Sequence, residues 1–323
     1  EGVSNLGNEA ISISNALNKT QANVLDGLTT GVITATISRS RVSALVGENP
    51  LLDANNNNAY TIVISTEDAT VSASDLNTIN GLTTAAVDLT NVTSITSSSL
   101  VDLGTLATAI GNDEFSNDSG FTAIEVSNKR IDATTLASTI DAYDSINESG
   151  TTEMTLASEA RINVASGEVA HMLLDETQNR LDITDQNIVV TGSISVDDAN
   201  LLSATTTGIV TASITTTESV NELKTLTETS NAYTIVISSE DATATASDLS
   251  TINEKTTATV DASEVTSLTG TYAEVKALYE SEGVSNLGNE ALTITDELTV
   301  TQANVLDGLT TGIVTAVIDP AEI

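Results

Sequence analysis

Two hydrophobic periodicities alternate along the chain. Short stretches in which every second residue is apolar, such as Tyr60, Ile62 and Ile64, predict half-buried β-strands. We expect strands to begin near Ile11, Val32, Tyr60, Val87, Thr122, Thr152, Leu181, Ile209, Tyr233, Thr259, Leu292 and Ile313. These starts lie 21 to 35 residues apart, so the sequence predicts one such strand in every repeat of that length.

Between the strands, apolar residues stand three and four apart, which predicts short helices with one apolar stripe. Ala73, Leu76 and Ile79 give the clearest example, and residues 220–226 and 303–309 have the same spacing. Two Ser-Asp pairs stand where N-capping oxygens are wanted, and two glycines stand where helices should end. These residues are Ser74-Asp75, Ser247-Asp248, Gly81 and Gly308.

A single short strand or helix cannot bury its apolar face in isolation. Stacking the repeats would pair each strand with strands of neighbouring repeats and pack each helix stripe against the strand faces. We therefore predict a mainly β fold with short helices. It would be an elongated β-solenoid, similar to a β-helix, of 11 to 12 strand–turn–helix coils.

Two other fold classes fit the pattern less well. A doubly wound α/β fold, the second candidate, expects helices of about ten to fifteen residues and nearly continuous apolar strands. The predicted helices are shorter than that, and the predicted strands are more polar. A β-sandwich, the third candidate, expects Asn-Gly hairpins, but the one such dipeptide, Asn80-Gly81, lies at a predicted helix end.

Segments of the chain are copies of one another. Residues 1–37 match residues 282–318 at 27 of 37 positions, so the end of the chain restarts its beginning. Residues 58–84 return as 231–257, and residues 29–38 return as 206–215. We therefore expect residues 1–323 to be one continuous solenoid segment, a window of a longer array. That array would continue covalently or associate with itself head to tail.

The charge limits the classes of partner. The formal net charge is −35, with only 10 Lys and Arg residues, so a phosphate backbone or an anionic membrane surface would be repelled. Such a charge favours a saline exterior in which divalent cations act as counterions. Cysteine is absent, and no apolar run approaches the length of a membrane span. We expect divalent cations as partners, no nucleic acid and no membrane insertion.

Catalytic motifs are missing from the sequence. His171 is the single histidine and has Asp175 four residues on, but the abundant serines make a Ser-His-Asp match uninformative, and a structural histidine explains it as well. The arginines that could neutralise an acidic sugar are dispersed: Arg39, Arg41, Arg130, Arg161 and Arg180. We predict no enzyme activity, no catalytic residues and no bound cofactor.

Two oxygen-rich clusters, residues 112–118 and residues 53–58, are candidate calcium loops. Neither has the spacing of an EF-hand, and Asn and Asp are also common in ordinary turns. We therefore expect loosely bound Ca²⁺ near such clusters, including Asp197 and Asp198, rather than a dedicated metal site. Glycosylation sequons begin at Asn18, Asn91, Asn117 and Asn147.

Residues 247–271, SDLSTINEKTTATVDASEVTSLTGT, and the related residues 74–81 resemble a repeat of giant extracellular or cell-surface proteins of marine cyanobacteria and other aquatic bacteria. In that repeat a helix of the type DLNTLDGKTT is followed by a strand and turn of the type VDAS-V-T-LTGT. The residues that match the first part are Asp248, Leu249, Thr251, Ile252, Lys255, Thr256 and Thr257. Those that match the second part are Val260, Asp261, Ala262, Ser263, Val265, Thr266, Leu268, Thr269 and Gly270. The resemblance implies an extracellular, repetitive and non-enzymatic protein, and it carries no functional residues with it.

We therefore expect a structural repeat protein at the cell surface or outside the cell. It would form a filament, a sheath or the stalk of a giant surface protein. A repeat region of a bacterial adhesin and a phage or virus tail fibre are the alternatives.

Overall fold

The structure is a computed structural model that describes residues 6–53, 57–118, 120–146 and 153–322. The chain divides into two compact units. The first unit contains Glu1–Ala160 and Leu174–Ile183, and the second contains Arg161–Leu173 and Thr184–Ile323. Helices make up 34% and strands 28% of the described residues, so neither class of element dominates.

Within the described ranges, the helices are α1 (Lys19–Asp26), α2 (Val42–Val46), α3 (Ala73–Asn80), α4 (Leu100–Gly111), α5 (Ala133–Ile146), α6 (Val169–Thr177), α7 (Val196–Thr205), α8 (Val220–Leu223), α9 (Ala246–Asn253), α10 (Tyr272–Glu280) and α11 (Val300–Asp307). Short 3-10 turns lie at Ser166–Glu168, Ser239–Asp241 and Pro320–Glu322.

The strands of the first unit are β1 (Ile11–Ser12), β2 (Ile33–Thr36), β3 (Ala59–Thr61), β4 (Thr70–Val71), β5 (Val87–Asp88), β6 (Ser94–Ser98), β7 (Phe115–Ser116), β8 (Ala123–Val126), β9 (Arg130–Asp132), β10 (Glu153–Leu156) and β12 (Leu181–Asp182). Three parallel sheets form among them, with strand orders β1-β2-β3, β12-β10-β8-β6-β4 and β5-β7.

The strands of the second unit are β11 (Arg161–Ala165), β13 (Asn187–Ile194), β14 (Val210–Ile214), β15 (Ala232–Val236), β16 (Thr243–Thr245), β17 (Val260–Asp261), β18 (Ser267–Gly270), β19 (Val284–Ser285), β20 (Ala291–Leu298) and β21 (Val314–Ile318). They pair in parallel in the orders β19-β17-β15-β14-β13-β11 and β16-β18-β20-β21.

Adjacent strands of each unit come from neighbouring repeats, and a helix lies between them in the sequence. Thr211 pairs with Ala232 of the following repeat, and Ala123 pairs with Glu153 in the same way. Parallel strands cannot be joined by a tight hairpin and need such a crossover. The parallel register therefore follows from the alternation of strand and helix along the chain.

The predicted fold class, a mainly β elongated β-solenoid of 11 to 12 coils, is wrong. The fold is α/β, with more helix than strand and several parallel sheets. The sequence pattern favours the α/β class less because the predicted helices are short, but α4 has 12 residues and α5 has 14. The Ser99 side chain caps α4 by accepting the N–H of Asp102, and the apolar stripe of α4 buries Leu103 and Leu106. The cap and the buried stripe together stabilise this helix of 12 residues.

The predicted positions of the strands agree with the structure. Eleven of the twelve predicted starts lie within one residue of a strand, and Thr152 lies outside the described residues. Gly81 and Gly308 end α3 and α11 as predicted. The predicted N-caps are wrong by two residues, because Ser72 and Thr245, rather than Ser74 and Ser247, accept the capping hydrogen bonds.

The interior is built from the alternating strand positions and the helix stripes. Tyr60, Ile62 and Ile64 are at most 1% exposed, as are Tyr233, Ile235 and Ile237. Ala73, Leu76 and Ile79 of α3 are completely buried. Small aliphatic side chains fill most of this interior, which fits closely spaced repeats in which large rings find little room.

A Thr-Thr pair joins neighbouring repeats at the turn before a strand. In the pair at 206–207, Thr206 Oγ1 donates to the carbonyl of Gln186 at 2.7 Å and accepts the N–H of Gly208 at 2.9 Å. The N–H and the hydroxyl of Thr207 both donate to the carbonyl of Thr184, at 2.8 and 3.0 Å. Closely similar bonds recur at 29–30, 83–84, 256–257 and 310–311.

The residue after the pair must be glycine wherever the preceding repeat comes close. A Cβ on Gly208 would lie 2.2 Å from the carbonyl oxygen of Gln186, and a Cβ on Gly312 would lie 2.2 Å from that of Glu290. Ala85 and Ala258 occupy the same place in two other repeats, so the turn itself accepts a methyl group. The approach of the neighbouring backbone therefore imposes the glycine.

We predict that Gly208→Ala lowers the free energy of unfolding by at least about 2 kcal/mol, because backbone atoms must move to admit the methyl group. Gly104→Ala is the matched control, since nothing lies within 4 Å of a Cβ there and Gly104 is inside α4. It should raise stability by about 0.5–1 kcal/mol. Urea unfolding followed by circular dichroism measures both, and equal effects of the two substitutions would contradict the steric argument.

Candidate functional site

Polar side chains of one repeat complete the helix of the preceding repeat. The first N–H of a helix has no partner within that helix. In six helices this N–H donates to a side-chain oxygen 21 to 28 residues later, at 2.8 to 3.1 Å. The pairs are Val42 with Asp68, Ala73 with Ser98, Leu100 with Asn128, Val196 with Glu218, Val220 with Asp241 and Tyr272 with Asp296.

A buried asparagine beside a tyrosine forms a second contact between repeats. Asn231 Oδ1 accepts the N–H of Val210 at 2.8 Å, and its Nδ2 donates to Ser203 Oγ at 2.9 Å and to the Tyr233 hydroxyl at 3.0 Å. Asn231 and Tyr233 are 2% and 1% exposed. Burial raises the pKa of Tyr233, so its hydroxyl stays protonated and can donate to the carbonyl of Ala199 at 3.3 Å.

The first unit contains the copy of this contact. Asn58 Oδ1 accepts the N–H of Ile33 at 2.9 Å, and its Nδ2 donates to Asp26 Oδ1 at 2.8 Å and to the Tyr60 hydroxyl at 3.1 Å. Burial, together with the negative charge of Asp26, raises the pKa of Tyr60. Asp26 is therefore the equivalent of Ser203 in the second unit, and each of these side chains accepts a hydrogen bond from the asparagine.

Two Asp–Asn pairs fix the turns after short strands. Asp261 Oδ1 accepts from Asn286 Nδ2 at 2.8 Å and from the N–H of Ser263 at 2.9 Å. These hydrogen bonds, that of Asn286 first, lower the pKa of Asp261. The stabilisation they give is complete above the unfolded-state pKa of the carboxyl group and is lost as the pH falls through the folded-state pKa. Asp88 and Asn117 repeat the pair at 2.9 Å.

The structure does not pair His171 with Asp175, the carboxylate four residues further on. His171 Nδ1 lies 3.9 Å from Glu168 Oε2, and the His171 side chain is 40% exposed. The carboxylate of Asp175 is 1% exposed and forms an ion pair with Arg180 instead. The histidine is therefore a surface residue whose nearest carboxylate lies on its own helical segment.

Arg180 gathers three carboxylates. Besides Asp175, its guanidinium binds Asp144 at 2.6 Å and Asp141 at 3.1 Å. No local pattern indicated this cluster, because Asp144 and Asp141 lie 36 and 39 residues away along the chain. The ion pairs connect α5 to the segment that follows α6, so they serve the fold of the first unit.

The other arginines that were considered stay separate. The guanidinium of Arg41 pairs with Glu67, and Arg161 Nε donates to Asn163 Oδ1 at 3.2 Å. Burial would raise the pKa of Asp88, but hydrogen bonds from Thr90 and Asn117 lower it, and the positive charge of Arg39 adds to this lowering. Arg130 is the first residue of β9.

One carboxylate of each calcium candidate accepts hydrogen bonds of the fold. Glu114 accepts from Asn80 and, at 3.4 Å, from Asn112, while Asp53 accepts from the N–H groups of Asn57 and Asn58. Residues 54–56 of the second cluster lie outside the described residues. Asp198 hydrogen-bonds Ser195 at the start of α7. Over the described ranges, no group of three or more His, Cys, Asp or Glu side chains is placed to hold a metal ion.

Three of the four sequon asparagines make hydrogen bonds through their side chains. Asn18 caps α1 through Gln21, Asn91 Nδ2 donates to the carbonyl of Ile64 at 2.8 Å, and Asn117 binds Asp88. Asn147 lies outside the described residues. A glycan on Nδ2 of Asn91 or Asn117 would crowd the hydrogen bond that this nitrogen donates, whereas Asn18 accepts its hydrogen bond through Oδ1.

The second unit also has an open polar cleft of about 440 Å³ beside the Thr-Thr pair at 206–207. Its walls are hydroxyl-rich and include Thr184, Ser203, Glu228 and Ser230. Thr206 and Thr207 already donate to backbone carbonyls of the preceding repeat, and Ser203 already accepts from Asn231. The cleft therefore lies over the joint between repeats, and much of its polar lining belongs to that joint.

The sequence pattern did not predict the residues that form the contacts between repeats. Partners 21 to 40 residues apart show no local pattern. A signal was nevertheless present in the repeated string Asn-Ala-Tyr-Thr-Ile-Val at 58–63 and 231–236. Copies of an asparagine two residues before a buried tyrosine could have suggested a shared hydrogen-bonding role.

Comparison with known proteins gives no family assignment. No protein-family model matches the sequence, and no curated protein matches it. Among the described residues, no helix is long and apolar enough to cross a membrane.

We predict that Asn231→Ala lowers the free energy of unfolding by about 2–4 kcal/mol, because it leaves the buried N–H of Val210 and the Tyr233 hydroxyl without this partner. Asn187→Ala is the matched control. Asn187 Oδ1 accepts the N–H of Ile209 at 2.9 Å by the same kind of bond, but Ile209 is 49% exposed and water can replace the bond. Its cost should be below about 1 kcal/mol. Urea unfolding compares the two, and similar costs would contradict the importance of burial.

Proposed function

We propose that this chain is a structural repeat segment of an extracellular or cell-surface protein, and that it belongs to a filament, a sheath or the stalk of a giant surface protein. One observation carries the proposal. Polar side chains of several repeats bond the backbone of a neighbouring repeat, at six helix starts, at the Thr-Thr pairs and at the two buried asparagines. Side chains used in this way hold successive repeats in register.

The same contacts support assembly by addition of repeats. A repeat that presents an unfilled helix start, strand edge and turn offers a following repeat the same hydrogen bonds that already exist inside the chain. The proposal therefore includes a further repeat as partner, either covalently continuous or from a second copy bound head to tail.

The charge supports a setting in which cations are abundant. Four of the six side chains that cap helix starts are carboxylates: Asp68, Glu218, Asp241 and Asp296. They benefit from the positive end of the helix dipole, but the remaining acidic side chains repel one another across neighbouring repeats. We propose that divalent cations gather at this surface and reduce the repulsion, without a dedicated site.

The location can be tested with antibodies raised against residues 161–323. Immunogold electron microscopy of intact cells of the source organism should place the label on the outer surface or on extracellular filaments. Pre-immune serum gives the background. Label confined to the cytoplasm of sectioned cells would contradict the structural role outside the cell, and label on phage particles would favour the tail-fibre alternative.

We also predict that calcium raises the thermal midpoint in low salt. A few millimolar CaCl₂ should raise it by about 2–4 °C, which corresponds to roughly 1 kcal/mol for units of this size. NaCl at equal ionic strength is the control and should have a smaller effect, because monovalent ions concentrate less at an acidic surface. If neither salt moves the midpoint, the charge serves solubility alone and the proposed role of cations is wrong.

A further inference from the structure

Three segments of the chain have the same order of helix, Thr-Thr-Gly turn and strand, and two of them are covered by a following repeat. They are α1 with β2, α7 with β14, and α11 with β21. The strand β2 pairs with β3, and β14 pairs with β15. Among the described residues, β21 pairs only with β20.

The third copy exposes positions that the first two bury. In the first copy Ala22, Asp26, Ile33, Ala35 and Ile37 are at most 6% exposed, and in the second copy Ala199, Ser203, Val210, Ala212 and Ile214 are at most 8% exposed. The equivalent residues of the third copy are partly or fully exposed: Ala303, Asp307, Val314, Ala316 and Ile318. We call these five residues the uncovered face.

The strands that cover the first two copies, β3 and β15, begin with the same sequence. The covering strands are Asn58-Ala59-Tyr60-Thr61 and Asn231-Ala232-Tyr233-Thr234. In each, the asparagine accepts the N–H of the strand residue equivalent to Val314 and donates to the side chain equivalent to Asp307. The uncovered face therefore presents the groups that such an asparagine binds in the two covered copies.

A second contact comes from an asparagine inside the helix. Asn23 Nδ2 donates to the carbonyl of Pro50 at 2.9 Å, and its Oδ1 accepts the N–H of Leu52 at 2.9 Å. Asn200 makes the same two bonds with Thr225 and Thr227, at 3.1 and 3.0 Å. The third asparagine, Asn304, is exposed on α11, and its side chain has no hydrogen bond within the described residues.

We propose that the uncovered face is a docking surface for one kind of partner: an extended segment with the pattern Asn-Ala-Tyr-Thr-Ile-Val. It would add to β21 as a parallel strand, place its asparagine between Val314 and Asp307, and bury its tyrosine against α11. This inference deepens the proposed function, because it names the segment through which a further repeat is added.

The experiment uses the full chain and a fluorescent peptide of residues 225–238, TLTETSNAYTIVIS. Fluorescence anisotropy should show saturable binding. The same peptide with Asn231→Ala should bind at least tenfold more weakly, because the loss of a buried hydrogen bond costs about a factor of ten or more in affinity. A peptide of the same composition in scrambled order should not bind.

Variants of the chain locate the peptide. Ala316→Lys places a charge on the uncovered face and should weaken binding more than tenfold. Val317→Lys is the matched control, because Val317 is 61% exposed. The equivalent residue of the first copy, Thr36, is exposed even though β3 pairs with its strand. It should leave binding unchanged within twofold. Thermal midpoints check that both variants fold, and the Asn231→Ala peptide tests the proposal without altering the chain.

Three results would overturn the proposal. The first is the absence of saturable binding up to about 1 mM peptide, which is the weak limit of measurable affinity. The second is equal affinity of the native and Asn231→Ala peptides. The third is a concentration-dependent dimer of the chain alone that Ala316→Lys abolishes. The last result would assign the face to a second copy docked in its folded form. Failure of peptide binding with antibody label outside the cell would reject this inference alone, whereas binding with cytoplasmic label would reject the extracellular role alone.

Discussion

The structure depends on backbone hydrogen-bonding groups that a single repeat cannot satisfy. Each helix starts with N–H groups that have no partner in its own turn, and a buried group of this kind costs about 1–3 kcal/mol when it stays unpaired. The first N–H of α8, from Val220, finds its acceptor in Asp241, which belongs to the next repeat. Because the acceptor comes from the neighbour, a repeat is complete only when the next one is in place. The parallel strands impose the same requirement at their edges.

Some of the many acidic side chains satisfy this requirement, because they accept hydrogen bonds at helix starts. A carboxylate that caps a helix start accepts a hydrogen bond and interacts with the helix dipole, and caps of this kind contribute about 1 kcal/mol each. Repulsion among the other exposed carboxylates opposes this, but salt screens it over about 8 Å. The balance is therefore favourable for an acid that caps, such as Asp68 or Asp296. It is unfavourable for an exposed acid that only adds charge, which is why stability should respond to counterions.

The local elements could be predicted well from the sequence, whereas the fold class was predicted wrongly. The alternation at Tyr60, Ile62 and Ile64 and the stops at Gly81 and Gly308 depend on neighbouring residues, and the structure contains them. The N-cap at Ser72 was misplaced because Ser72 and Ser74 are equally suitable by type, and the choice depends on where β4 ends. The fold class depended on helix lengths, and α4 and α5 are longer than the short helices that the pattern predicts. The contacts of Asn231 and Arg180 join distant residues, so only comparison of the internal copies offered a signal for the asparagine and none existed for the arginine.

The differences between the internal copies show which positions accept a change of side chain. Residues 1–37 and 282–318 differ at ten positions, and in the first copy only one of these, Ile33, is buried, where valine replaces isoleucine. Asn23, Asp26 and Thr29 are identical in the two copies, and each bonds a neighbouring repeat. Glycine likewise recurs at Gly31, Gly208 and Gly312, where the adjacent backbone leaves no room for a methyl group. Residues that bond a neighbouring repeat are therefore among those that the two copies share, and nine of the ten differences fall on positions that are not buried in the first copy.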